Sequence, residues 1–156
     1  MRELKEVVKI LTEKKMTIST MESCTGGGLA NAITNVAGSS EVFKFGAVTY
    51  SNEFKIKMGV NKEVIDKYTV YSQNVAREMA RCICEFTNSN IGVWITGKLK
   101  QVDNHNIAGK DDEVFMSIYL DGKYTDLNTL VNFDKREDNK NEVILKVVKK
   151  ILELLR

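Results

Sequence analysis

The chain has 156 residues, 43% of them hydrophobic, which suits one domain around one core. Its 23 basic and 21 acidic side chains are interspersed and nearly cancel, to a net +2; a nucleic-acid binder would gather its cations on one face. Three cysteines and one histidine exclude a disulfide framework and a multi-histidine metal site.

In chain order, Leu4, Val7, Val8 and Leu11 recur at helical spacing, so residues 2–14 read as an amphipathic helix. Its start carries no apolar signal core, and no apolar run approaches the roughly 18 residues of a membrane span. The expected location is the cytoplasm. Residues 16–21 read as a strand and residues 26–35 as a helix. Between them lies Glu22-Ser23-Cys24-Thr25-Gly26-Gly27-Gly28. A strand-to-helix junction exposes unpaired N–H groups and the positive end of a helix dipole. Glycines there let a ligand approach the backbone. The junction suits an anion, or an oxyanion formed beside a nucleophile. Ser23 and Thr25 equally suit an N-cap, and Cys24 is a rival nucleophile.

Ala37-Gly38-Ser39-Ser40 signals a turn. Residues 42–50, rich in aromatic and β-branched side chains, read as a second strand. Asn52 is the expected cap of a short helix carrying Lys55 and Lys57 and ended by Gly59. Another short helix is expected over 62–68. Ser72 caps a longer one over 73–87, with Val75, Met79, Ile83 and Phe86 on one face. Cys82 and Cys84 diverge on that helix, so buried thiols are expected rather than a metal pair.

Residues 91–96 form a continuous apolar run, the pattern of a central strand covered on both faces. Residues 97–112, with His105, are polar and read as a mobile loop. Residues 114–120 and a run through Phe133 form a hairpin turned by Asp121-Gly122. The last helix carries Val143, Val147, Ile151 and Leu154 as a stripe, flanked by Ile144, Val148 and Leu155. Helices that alternate with strands, then a hairpin before a helix, predict a single α/β domain: a three-layer α/β/α sandwich with a mixed sheet.

Several blocks resemble one family in the same order. Glu22-Ser23-Cys24-Thr25-Gly26-Gly27 resembles the signature of the CinA C-terminal domain family. Gly38-Ser39-Ser40 with Phe43, then Gly46-Ala47-Val48-Thr49-Tyr50-Ser51-Asn52-Glu53 with Lys55, resemble its next blocks. Gly59-Val60, Ser72 with Val75-Ala76 and Met79-Ala80, and Ile95-Thr96-Gly97 follow. The resemblance runs over residues 1–97 and thins toward the C-terminus. It implies that residues 1–156 form one such domain that hydrolyses nicotinamide mononucleotide to nicotinic acid mononucleotide and ammonia, without cofactor or metal, as a homodimer or higher homo-oligomer, with no nucleic-acid or membrane partner.

By that match Ser23 is the nucleophile and Lys55 its partner. A lysine base must lose about three units from its ordinary value near 10.4, about 4 kcal/mol; the lone His105 offers little alternative. Tyr50, five residues before Lys55, is a candidate to relay a proton or hold the lysine. The N–H groups of Thr25, Gly26 and Gly27 are candidates for the oxyanion or a phosphate. Thr96 is a candidate substrate contact, because ligands of open α/β sheets gather at strand carboxyl ends. Glu22, acidic beside an anion site, is read either as facing away to anchor a backbone N–H or as holding a base. After Gly97 the chain departs from the family's glycine- and proline-containing segment. Near the end Phe133-Asp134-Lys135-Arg136 keeps one arginine, Arg136, a candidate for phosphate. The departures motivate an alternative, a nucleotide-binding module of the same fold without turnover, and beyond it an assembly protein.

Overall fold

A computed structural model describes residues 1–100 and 109–156. Its order is α1 (Arg2–Lys14), β1 (Ile18–Glu22), α2 (Gly28–Thr34), a 3-10 turn at Ser39–Glu41, β2 (Phe43–Val48), α3 (Asn52–Lys57), α4 (Lys62–Tyr68), α5 (Gln73–Thr87), β3 (Ile91–Gly97), β4 (Glu113–Leu120), β5 (Lys123–Leu130) and α6 (Arg136–Leu155). The strands form one five-stranded sheet ordered β2-β1-β3-β4-β5. β2, β1 and β3 run parallel, and β4 and β5 return antiparallel. The expected α/β fold with a mixed sheet between helices is therefore observed.

Side-chain alternation along the strands divides the core into two layers. Ile18, Ile91, Val93 and Ile95 pack with Leu4 and Val8 of α1, Leu29 and Ile33 of α2, and Val147 and Ile151 of α6. Met21 and Trp94 pack on the other face with Val60, Ile65, and Val75, Met79 and Ile83 of α5. β3 is buried at every residue, as its unbroken apolar run requires. Asp121 and Gly122 both take positive φ, 51° and 75°, the type I′ geometry that matches strand twist.

Several boundaries differ from the sequence reading. β1 starts two residues late because Lys15 ends α1 in the left-handed conformation and Thr17 donates to Asn90 Oδ1. It runs on through Glu22, so Ser23 follows the strand directly. Ser51, not Asn52, caps α3: its hydroxyl accepts from the Phe54 N–H. Phe86 is 63% exposed and meets Phe45 in a tilted ring contact with centroids 5.4 Å apart, and Leu154 is also exposed. On α6 the buried line runs Ile144, Val147, Val148, Ile151, Leu152 and Leu155, which places Leu154 on its flank. β5 ends at Leu130, short of Phe133. Of the segment read as a loop, Lys98 and Leu99 are buried, while residues 101–108, with His105, lie outside the described residues. No described helix is long and apolar enough to cross a membrane.

Candidate active site

The carboxyl ends of the three parallel strands converge on one edge of the sheet. There the alternation of β1 sorts three consecutive side chains. Glu22 and Cys24 turn toward the α1, α2 and α6 layer, and Ser23 toward the layer of α3 and α5.

Glu22 is 1% exposed. Its Oε1 accepts from Thr25 Oγ1 at 2.7 Å and from the Leu29 N–H at 2.8 Å, and its Oε2 from the Ala30 N–H at 3.1 Å. The start of α2 is therefore filled by the chain's own carboxylate, a favourable place for negative charge. The junction expected to receive a foreign anion at the helix end does not leave that end free. Thr25, 2% exposed, spends its hydroxyl on Glu22 rather than facing a substrate. The Gly26 N–H is also used, donating to Ser23 O at 2.9 Å. Among the described residues the N–H groups of Thr25 and Gly27 have no acceptor, so two of the three expected donors remain. Gly26 and Gly27 hold φ of 61° and 92°, which side chains rarely adopt. A Cβ on Gly27 would also stand 3.3 Å from Val48 Cγ2.

Cys24 is 3% exposed and packs in the core with Leu29 and Ile33. Burial pushes its thiol up to about 12, against the opposing charge of Arg136. A nucleophilic cysteine needs the reverse, a thiolate at neutral pH. Ser23 is half-buried at the edge. Its own N–H donates to Ile95 O at 3.0 Å, which continues the β1–β3 ladder one residue past the strand and fixes the Ser23 backbone.

Lys55 reaches this edge from α3. It is 2% exposed, rare for a lysine. Its Nζ donates to Thr49 O at 2.8 Å and lies 3.5 Å from Ser23 Oγ. It also stands 5.6 Å over the centroid of the wholly buried Trp94 ring. Thr49 O takes one N–H and so helps to hold the nitrogen beside Ser23. The contact with Ser23 is long, at the outer limit of a hydrogen bond.

The other candidates are placed unevenly. Thr96, 1% exposed, shares the face of Trp94, but its hydroxyl donates to Val70 O at 3.3 Å. Tyr50 is 65% exposed, and no hydrogen bond joins it to Ser23 or Lys55 among the described residues. Arg136 stands at the first turn of α6 and donates to Lys98 O at 3.2 Å. Asn139, wholly buried, exchanges two hydrogen bonds with the Phe133 backbone and so fixes the entry to α6. One turn on, Lys140 Nζ lies 3.5 Å from where a Gly26 Cβ would be. Lys140 thus brings a cation to the glycine turn, and Arg136 lies near enough for its charge to act on Cys24 beside it.

Lys140, Trp94 and Thr49 were not singled out from sequence. The i, i+4 spacing of Arg136 and Lys140 on one helix was available as a signal. Thr49 acts through its carbonyl, which no sequence pattern marks. Among the described residues no group of three or more His, Cys, Asp or Glu side chains could hold a metal ion.

The CinA C-terminal domain matches residues 2–156. A competence-damage inducible protein of Clostridium beijerinckii is 40% identical over 151 residues, 96% of this chain and 35% of that protein. One from Alkaliphilus oremlandii is 55% identical over 96 residues, 60% of this chain and 23% of that protein. The chain thus spans about a third or less of these relatives. A CinA superfamily structure from Klebsiella pneumoniae superposes with TM-score 0.91 at 22% identity, covering 99% of this chain and 96% of that one. A competence or damage-inducible protein from Enterobacter asburiae gives 0.88 at 24%, covering 98% of each. These likenesses establish the fold.

Proposed function

Starting from this chain's membership of the CinA C-terminal domain family, we propose that it is an amidohydrolase converting nicotinamide mononucleotide to nicotinic acid mononucleotide and ammonia. The observation that carries this reading is a buried lysine amine 3.5 Å from a half-buried serine hydroxyl at the carboxyl edge of a parallel sheet. Lys55 takes the hydroxyl proton as Ser23 Oγ attacks the carboxamide carbon. The N–H groups of Thr25 and Gly27 are the donors offered to the oxyanion. Collapse breaks the C–N bond as the Lys55 ammonium returns its proton to the departing ammonia. Water, deprotonated by the same amine, then hydrolyses the acyl-serine ester. Arg136 and Lys140 hold the phosphate. Burial against Trp94 disfavours a charged Lys55, while Thr49 O and the ring face favour it; catalysis requires the first effect to win near neutral pH. On this reading residues 1–156 act as one domain, in the cytoplasm, as a homodimer or higher homo-oligomer.

The test is ammonia release from the nucleotide, abolished by Ser23→Ala and by Lys55→Ala. No release by wild type at high enzyme concentration overturns the reading. The second reading is a nucleotide-binding module without turnover. It is favoured by the segment after Gly97, where Lys98 is buried under the Tyr71 ring at 4.9 Å and Leu99 and Lys100 take positive φ of 51° and 67°. Thermal stabilisation by the nucleotide without ammonia release identifies that case.

A further inference from the structure

The one tryptophan of the chain stands where the proposed reaction needs control of its base. Trp94 is wholly buried on β3, beside Met21 in the strand register, on the face that also carries Thr96. Its ring lies beneath Lys55 Nζ at 5.6 Å, and its indole Nε1 has no hydrogen-bond partner among the described residues. A buried indole usually finds such a partner. Here the ring is packed with its π face toward the amine while its N–H goes unused.

We propose that Trp94 is the positioning residue for Lys55, holding the amine beside Ser23 through its ring face. An aromatic face attracts a cation through its quadrupole. It therefore restrains the ammonium, yet holds the proton more weakly than a carboxylate in the same place would. Thr49 O fixes one direction of the nitrogen and the indole supplies the floor. The inference rests on the reading of Lys55 as base, but its contact with the ring is testable without turnover. Titratable and charged groups on the same side of the sheet include Lys98 with its partner Asp111, Tyr71 ahead of α5, Arg77, Glu78, Arg81, Cys82 and Glu85 on α5, Tyr119 on β4, and Tyr124 and Asp126 on β5; Glu22 is turned to the other face.

With a single tryptophan, emission excited at the red edge of its absorption comes from Trp94 alone. In the wild-type protein it is expected to change in one step with pH, and in Lys55→Met that step is expected to vanish while the fold is retained. A flat wild-type signal over the stable pH range, or the same step in Lys55→Met, overturns the proposal whatever the substrate. In the ammonia assay, Trp94→Leu is expected to lower kcat on the order of a hundredfold with KM held. Its acid limb is expected to move down by about half to one pH unit, because the ammonium has lost the ring. Trp94→Phe, which keeps a ring face, is expected to recover much of both. A Leu variant with wild-type kcat and limb, or a Phe variant no better than a folded Leu variant, also overturns it.

Discussion

At the residue scale the junction after β1 depends on which way each side chain turns. Glu22 satisfies two helix N–H groups and a threonine hydroxyl from a buried position. Removing it strands all three donors, each worth about 1–3 kcal/mol against a charged acceptor. Glu22→Ala is expected to cost about 4 kcal/mol in denaturant unfolding, and Glu22→Gln, which keeps one oxygen, about half as much. Equal losses would mean that the oxygen kept by Gln contributes nothing and that the charge and second oxygen of the carboxylate carry the whole effect. Cys24 supplies a pH test. Its thiol stays protonated in the folded chain to about pH 12, but only to about 9 when unfolded. Between those values the native state binds the extra proton, so stability must fall as pH rises, by about 1.4 kcal/mol per pH unit from this group. Comparison of wild type with Cys24→Ala from mildly to strongly alkaline pH is expected to show the steeper decline in wild type. Little of this was legible in sequence: the motif named Glu22, Ser23 and Cys24 together, and only the strand's true end at Glu22 assigns them to opposite layers. Ending the strand one residue early left Glu22 undecided and Cys24 a rival nucleophile.

At the scale of elements the sequence was informative wherever a pattern ran long. The apolar stripe of α1, the cap of α5 with Val75, Met79 and Ile83 of its stripe, and the Asp-Gly turn are where the spacing put them. Short elements were harder, because two adjacent cap residues compete. Ser51 takes the cap of α3, one residue before the expected Asn52. Phe86 fits the helical period but lies at the end of α5, beyond the sheet's cover, and so meets Phe45 at the surface. Close approach of α5 to β3 is a further feature that periodicity does not mark. A Cβ on Gly92 would lie 2.2 Å from Ala80 O and 2.7 Å from Cys84 Cβ, and backbone cannot give way as a flexible side chain can. Gly122 has nothing within 4 Å but holds φ of 75°. Gly92→Ala is therefore expected to cost about 3 kcal/mol by overpacking, against about 1 kcal/mol for Gly122→Ala by backbone strain. The reverse order in thermal unfolding would show that α5 is free to shift off the sheet.

At the scale of the whole molecule, the sheet joins groups from distant parts of the chain. Ser23 follows β1, Lys55 follows β2, Trp94 lies on β3, and Arg136 and Lys140 open the last helix. That helix packs along α1 and α2 and so carries Lys140 back to the glycine turn, with Arg136 near Cys24 beside it. If those cations hold the phosphate of a nucleotide, their effect must depend on the phosphate being there. Lys140→Ala and Arg136→Ala are each expected to raise KM for nicotinamide mononucleotide about tenfold, one lost charge-assisted contact of about 1.4 kcal/mol. Neither is expected to change KM for the riboside that lacks the phosphate. Added salt should weaken the wild type toward the variants, since part of the cations' attraction acts through solvent. Equal losses on nucleotide and riboside would place the two side chains against another part of the substrate. No loss on either would return α6 to a purely structural role, with Asn139 rather than Arg136 as the reason its first turn is held in place.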